Sequence, residues 1–125
     1  MRLDILVIDD DKDLRENISE ILSLTGHGVM TAVNGREGFD KAVQFLPDVI
    51  ISDIMMPDTN GVMFLKLLKK ENTTKDIPLI FMSGAAIPTK THQSILTEGY
   101  QYLSKPFTEE QLLIAVDKCL ILKKV

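Results

Sequence analysis

Asp48-Val49-Ile50-Ile51-Ser52-Asp53-Ile54-Met55-Met56-Pro57 is the stretch from which the fold of this chain can be worked out. Its first half is short, apolar and rich in β-branched residues, with Pro47 before it and Pro57 closing it. Such a run suits a strand covered on both faces, as strands of parallel sheets are. Asp53 falls where that strand gives out. In an open parallel sheet flanked by helices, chemistry collects in the crevice at the carboxyl ends of the strands. A carboxylate there stands at the mouth of the sheet, and the other strand ends can be searched for groups that would join it.

Outward from this stretch, strand and helix patterns alternate. The runs at 5–8, 49–51 and 79–82 are apolar throughout and predict central strands, whereas 28–32 and 100–103 are more polar and predict edge strands. Between them lie helical spacings: Leu14, Ile18, Ile21 and Leu22; then Phe39, Ala42, Val43 and Leu46 facing inward; then Phe64, Leu65 and Leu68. Asp11 or Asp13 can cap the first helix and Gly26 ends it; Asn34-Gly35 opens the second and Pro47 stops it. Pro88 suits the first turn of a fourth, thinly apolar helix that reaches Gly99. The last helix starts with a capping box, Thr108 with Gln111, and a hydrophobic staple, Phe107 with Leu112. Leu112, Leu113, Val116, Cys119 and Leu120 give it a broad apolar face. Alternating elements imply parallel strands joined by right-handed crossovers. The expected fold is α/β: a doubly wound five-stranded parallel sheet of order 2-1-3-4-5 with five helices, as one domain over residues 1–125.

Composition narrows the function. A net charge of −4, with acidic and basic residues mixed along the chain and no basic stripe, argues against direct nucleic-acid binding. No apolar run reaches the ~18 residues of a membrane span, and no signal peptide precedes Arg2-Leu3-Asp4. The single cysteine excludes an internal disulfide and fits a reducing compartment, so a cytoplasmic location is expected. The start at Met1 suits a native N-terminus, of a single-domain protein or of a longer one.

The strand ends carry the chemistry. The first strand ends in Asp9-Asp10, the third in Asp53, the fourth in Ser83 and the fifth in Ser104-Lys105-Pro106. Singly, each has a plainer role: a strand-end Asp caps or solvates a loop, Ser forms turns, and Asp9 to Asp11 could simply cap the first helix. Together they converge on one edge of the sheet. Crowded carboxylates repel unless a cation neutralises them, and oxygen ligands with retained water suit Mg2+. Lys105 can pair with an anion and Ser83 can donate a hydrogen bond to it. The set suits a phosphoryl group carried on a carboxylate. His27 and His92 have no partner at ligand spacing, and Cys119 fits a core position.

With these motifs the chain resembles the receiver domains of bacterial two-component response regulators, of the chemotaxis-regulator kind. The matching stretches are Leu6-Val7-Ile8-Asp9-Asp10, residues 47–57, Gly61, Phe81-Met82-Ser83-Gly84 and Tyr102-Leu103-Ser104-Lys105-Pro106-Phe107, which span essentially the whole chain. The resemblance implies a flavodoxin-like fold and a phosphorylatable Asp53. It implies Mg2+ held by Asp10, the Asp53 carboxylate and the Met55 backbone carbonyl, with Asp9 acting directly or through water. Lys105 would pair with the phosphoryl oxygens, followed by a cis peptide to Pro106. Ser83 and Tyr102 would form the switch, the hydroxyl moving to the phosphoryl group and the ring turning inward behind it. The implied partners are a histidine kinase or histidine phosphotransfer protein, and a downstream partner or output domain reading the fourth helix, fifth strand and fifth helix. A phosphorylation-dependent homodimer is a further expectation of the resemblance.

The chain departs from the family pattern in three respects, one of them the thinly apolar fourth helix. Tyr100 puts a large ring where relatives usually carry Ala. Met55 and Ala85 stand where many members have polar side chains that hold the hydrolytic water, which predicts slow dephosphorylation. The implied activity is that of a signalling module which catalyses only its own phosphorylation and slow dephosphorylation. A pseudo-receiver that keeps the fold without phosphorylation would not need the complete set Asp9, Asp10, Asp53, Ser83 and Lys105. An aspartyl-phosphate phosphatase would carry a second Asp two residues after the nucleophile, where this chain has Met55.

Overall fold

The apolar runs pair into one five-stranded parallel sheet. In the computed structural model, which describes residues 2–54, 61–84, 90, 93, 95 and 97–124 (backbone alone at 61, 62 and 121–124), the strands are β1 (Asp4–Ile8), β2 (Gly28–Ala32), β3 (Val49–Asp53), β4 (Leu79–Ser83) and β5 (Gln101–Ser104). Their order is β2-β1-β3-β4-β5, as expected from the sequence, with the two more polar strands at the edges. β1, β3 and β4 are covered on both faces, which is why they could be continuous apolar runs.

Four helices are traced among the described residues: α1 (Lys12–Leu24), α2 (Gly35–Phe45), α3 (Gly61–Lys70) and α4 (Glu109–Lys124). The five expected helices are therefore not all traced. The one expected between β4 and β5 lies mostly outside the described residues, although Lys90, Gln93, Ile95 and Thr97 are helical.

Strand alternation splits the core in two. Ile5, Val7, Val49, Ile51, Ile80, Met82 and Leu103 face α1 and α4, where Ile18, Leu22, Leu112, Val116 and Cys119 meet them. Leu6, Ile8, Ile50, Leu79 and Phe81 face α2 and α3, where Ala42, Phe64 and Leu68 meet them. Cys119 is fully buried, and burial pushes its thiol up to about 11, so it is a small core residue.

The helix boundaries follow from local chemistry. Asp11 caps α1, its carboxylate accepting the N–H groups of Asp13 and Leu14. The chain leaves α1 through Gly26 at φ +93, with the N–H of His27 on Leu22 O at 3.0 Å and that of Gly26 on Ser23 O at 3.1 Å. This is the glycine-ended helix terminus that a side chain at Gly26 would strain. Asn34 caps α2. The α4 capping box is present, Thr108 N–H on Gln111 Oε1 at 2.9 Å and Gln111 N–H on Thr108 Oγ1 at 3.1 Å.

The inner face of α2 differs from expectation. Val43 and Leu46 are exposed, Leu46 at 50% and in the left-handed conformation that ends the helix. Ala42 is buried and Phe39 packs partly buried on the core, as expected, but Gly35 and Gly38 take the other inward places, because α2 lies so close to β1 that a Cβ on Gly38 would overlap the Ile8 side chain. His27 takes a structural part: its Nδ1 accepts the Leu3 N–H at 3.1 Å.

Candidate functional site

Three ladders run one residue past the ends of the strands and set the positions of the site residues. Asp9 N–H bonds Ala32 O of β2 at 3.1 Å, Ile54 N–H bonds Met82 O of β4 at 3.0 Å, and Lys105 N–H bonds Ser83 O at 2.9 Å. Asp9, Asp53 and Lys105 continue the strand faces of Val7, Ile51 and Leu103, so all three belong to the α1/α4 side of the sheet. They meet there. The Lys105 ammonium lies 2.9 Å from Asp9 Oδ2 and 2.9 Å from Asp53 Oδ2, bridging two buried carboxylates from different strands. Asp10 is exposed, yet its carboxylate joins those of Asp9 and Asp53, with ligand oxygens all within 4.8 Å of one another.

The charge balance of this cluster is informative. Three carboxylates face one ammonium. At this spacing the buried carboxylates of Asp9 and Asp53 repel by about 3 kcal/mol at an effective dielectric of ~20, while solvent screens the share of exposed Asp10. Burial of Lys105 opposes its charge, but hydrogen bonds and attraction from Asp9 and Asp53 outweigh that, and its pKa is raised above the ordinary lysine value. One lysine still leaves the cluster formally negative. The donor set, three carboxylates open to the mouth of the sheet through Asp10, fits a hard divalent cation.

The remaining predicted residues lie around this centre. Ser83 is buried at the end of β4. Tyr102 is half-buried on β5, in register with Phe81, and packs with Tyr100 against the α2/α3 core. Ser83, Phe81 and Tyr102 therefore share one sheet face, opposite to that of Asp53 and Lys105. The Lys105–Pro106 peptide is cis. Met55 and Ala85 lie outside the described residues, as does His92.

Two features were not foreseen from the sequence. Asp9 folds onto its own loop, Oδ1 accepting the Asp11 N–H at 2.8 Å. Arg15, one turn into α1, donates from Nη1 to the backbone carbonyl of Asp9 at 2.8 Å. A cation this near a helix N-terminus is disfavoured by the helix dipole, but Lys12 is nearer still, so no pattern in the sequence singled Arg15 out.

The comparisons with known proteins agree with this fold. The family model described as the response regulator receiver domain matches residues 5–117. Protein PilG of Pseudomonas aeruginosa is 33% identical over 114 residues, covering 91% of this chain and 84% of PilG. The DNA-binding dual master transcriptional regulator RpaA of Synechocystis sp. is 34% identical over 112 residues, covering 90% of this chain and 46% of RpaA. The chain thus spans about half the length of RpaA and of several other curated relatives it matches. Among solved structures, the chemotaxis protein CheY4 of Vibrio cholerae superposes with a TM-score of 0.85 at 32% identity, covering 95% of this chain and 99% of that one. Matched along most of its length, the chain belongs to the response regulator receiver domain family.

Proposed function

We propose that residues 1–125 form one phosphoacceptor receiver domain, in which Asp53 takes a phosphoryl group from a histidine kinase or histidine phosphotransfer protein. The observation that carries this reading is the Asp9, Asp10 and Asp53 cluster bridged by Lys105. In the transfer, an Asp53 carboxylate oxygen attacks phosphorus in line as the bond from phosphorus to the donor imidazole breaks. Lys105, already on the Asp53 oxygen, is placed to follow the new negative charge onto the phosphoryl oxygens. Asp9 and Asp10, with Asp53 and the Met55 carbonyl, would hold Mg2+, which supplies charge neutralisation when bound.

Ser83 and Tyr102 then read the change. Ser83 donates its hydroxyl to a phosphoryl oxygen, and because Tyr102 shares its sheet face, the ring follows inward. A partner or output domain senses the face made by the helix before β5, β5 itself and α4, or a second phosphorylated copy does. The chain makes no direct contact with nucleic acid or membrane in this reading, and its only catalysis is its own phosphorylation and slow dephosphorylation. No described helix is long and apolar enough to cross a membrane.

The test is intact mass spectrometry after incubation with acetyl phosphate and Mg2+. The wild type should gain one phosphoryl group and Asp53→Asn none. Equal adducts on both proteins would overturn the assignment.

A further inference from the structure

Every polar atom of Asp9 is engaged, each by a different part of the chain. Its N–H donates to Ala32 O on β2, its Oδ1 accepts from Asp11 N–H, its Oδ2 accepts from Lys105, and its carbonyl oxygen accepts from Arg15 Nη1 at 2.8 Å. The last contact differs in kind, because that carbonyl belongs to the peptide linking Asp9 to Asp10. A peptide unit is planar, so holding its oxygen sets the plane and with it the direction in which Asp10 leaves. Asp10 needs such a restraint more than its neighbours do. It is exposed and lies beyond the strand, yet its carboxylate comes within 4.8 Å of those of Asp9 and Asp53.

Arg15 is well held for this purpose. It is half-buried on the second turn of α1, its N–H on Asp11 O at 3.0 Å and its carbonyl accepting Ser19 Oγ at 2.7 Å. Its guanidinium turns back toward the helix start, against the dipole preference.

We propose that Arg15 is a positioning residue for the cation-holding part of the site: by clamping the Asp9–Asp10 peptide, it keeps the Asp10 carboxylate directed at Asp53. The proposal rests on the phosphoacceptor reading and its divalent cation. Two effects of removing Arg15 have opposite signs. Loss of the positive charge held at the Asp9 carbonyl would by itself tighten cation binding, whereas loss of the clamp would weaken it. The sign of the change therefore separates positioning from charge.

Mg2+ titration calorimetry of the wild type, Arg15→Met, Arg15→Gln, Arg15→Lys and Asp10→Asn, at constant ionic strength, tests this, with melting temperatures taken in EDTA. Arg15→Met and Arg15→Gln should each raise the Mg2+ Kd about tenfold without a matching fall in metal-free melting temperature. Arg15→Lys, which retains the charge and a donor, should recover most of that loss. Should the Met variant not fold, the Gln variant decides. Binding as tight as wild type, or tighter, in a folded Met or Gln variant would overturn the proposal. A wild type that takes up no Mg2+, or an Asp10→Asn variant that binds equally well, would instead overturn the cation reading and the proposal with it.

Discussion

At the residue scale the account turns on Lys105, whose ammonium is the bridging charge between Asp9 and Asp53. Lys105→Met would remove two hydrogen bonds to buried carboxylates, at a cost of roughly 3 kcal/mol, the low end of the range for removing one partner of a buried ion pair because Lys105 is partly exposed. The raised Lys105 pKa sets the sign of the pH dependence. Its stabilisation is complete below the unfolded lysine value, about 10.4, and fades as pH rises through the higher folded value. Urea unfolding of wild type and variant should therefore differ by a constant amount from pH 7 to 9 and converge only under strongly alkaline conditions; convergence by pH 9 would count against the pairing. The meeting of Asp9, Asp53 and Lys105 was legible in the sequence because each stands at or directly after the end of a recognisable strand. The part of Arg15 was not, because a guanidinium on a backbone carbonyl leaves no spacing pattern. Met55 and Ala85 enter through the resemblance alone. Neither side chain can orient a water by an amide or carboxylate, so the double substitution Met55→Asn and Ala85→Glu should speed phosphate loss by roughly tenfold, equivalent to ~1.4 kcal/mol of barrier. Decay of the phosphorylated forms in Mg2+ buffer measures this, and equal rates would remove both positions from the mechanism.

At the scale of elements, capping chemistry made the last helix the most readable. Thr108 and Gln111 exchange both hydrogen bonds at the start of α4, so Thr108→Ala should cost about 1 kcal/mol in thermal or urea unfolding, and a variant as stable as wild type would show the box to be incidental. The second helix was readable in extent but not in facing. Counting apolar residues put Phe39, Ala42, Val43 and Leu46 inward; Phe39 and Ala42 do meet the core, while close approach to β1 demands Gly38 there and leaves Val43 and Leu46 outside. An apolar period shows which residues can be buried. It does not show how near the neighbouring element comes, and glycines on a helix face carry that information. The strands came through better, since β1, β3 and β4 are buried on both faces and their apolar runs have no second explanation.

For the whole molecule, alternation of elements gave the parallel sheet and the more polar runs at 28–32 and 100–103 gave its order, and that order brings Asp9, Asp10, Asp53 and Lys105 into one acidic crevice. The crevice is formally over-negative, so Mg2+ should raise the melting temperature by mass action and Asp10→Asn should abolish the gain. Differential scanning calorimetry of both proteins with and without Mg2+ measures this, and an identical response would mean that the acidic cluster does not bind the ion. The central claim is that Asp53 itself carries the phosphoryl group. An aspartyl phosphate is an acyl phosphate, which borohydride reduces to an alcohol, so trapping converts the modified aspartate to homoserine. Wild-type protein treated with acetyl phosphate and Mg2+, reduced and mapped by tandem mass spectrometry, should show homoserine at position 53 and at no other aspartate; homoserine at position 9 or 10, or none at all with phosphate still bound, would contradict the account.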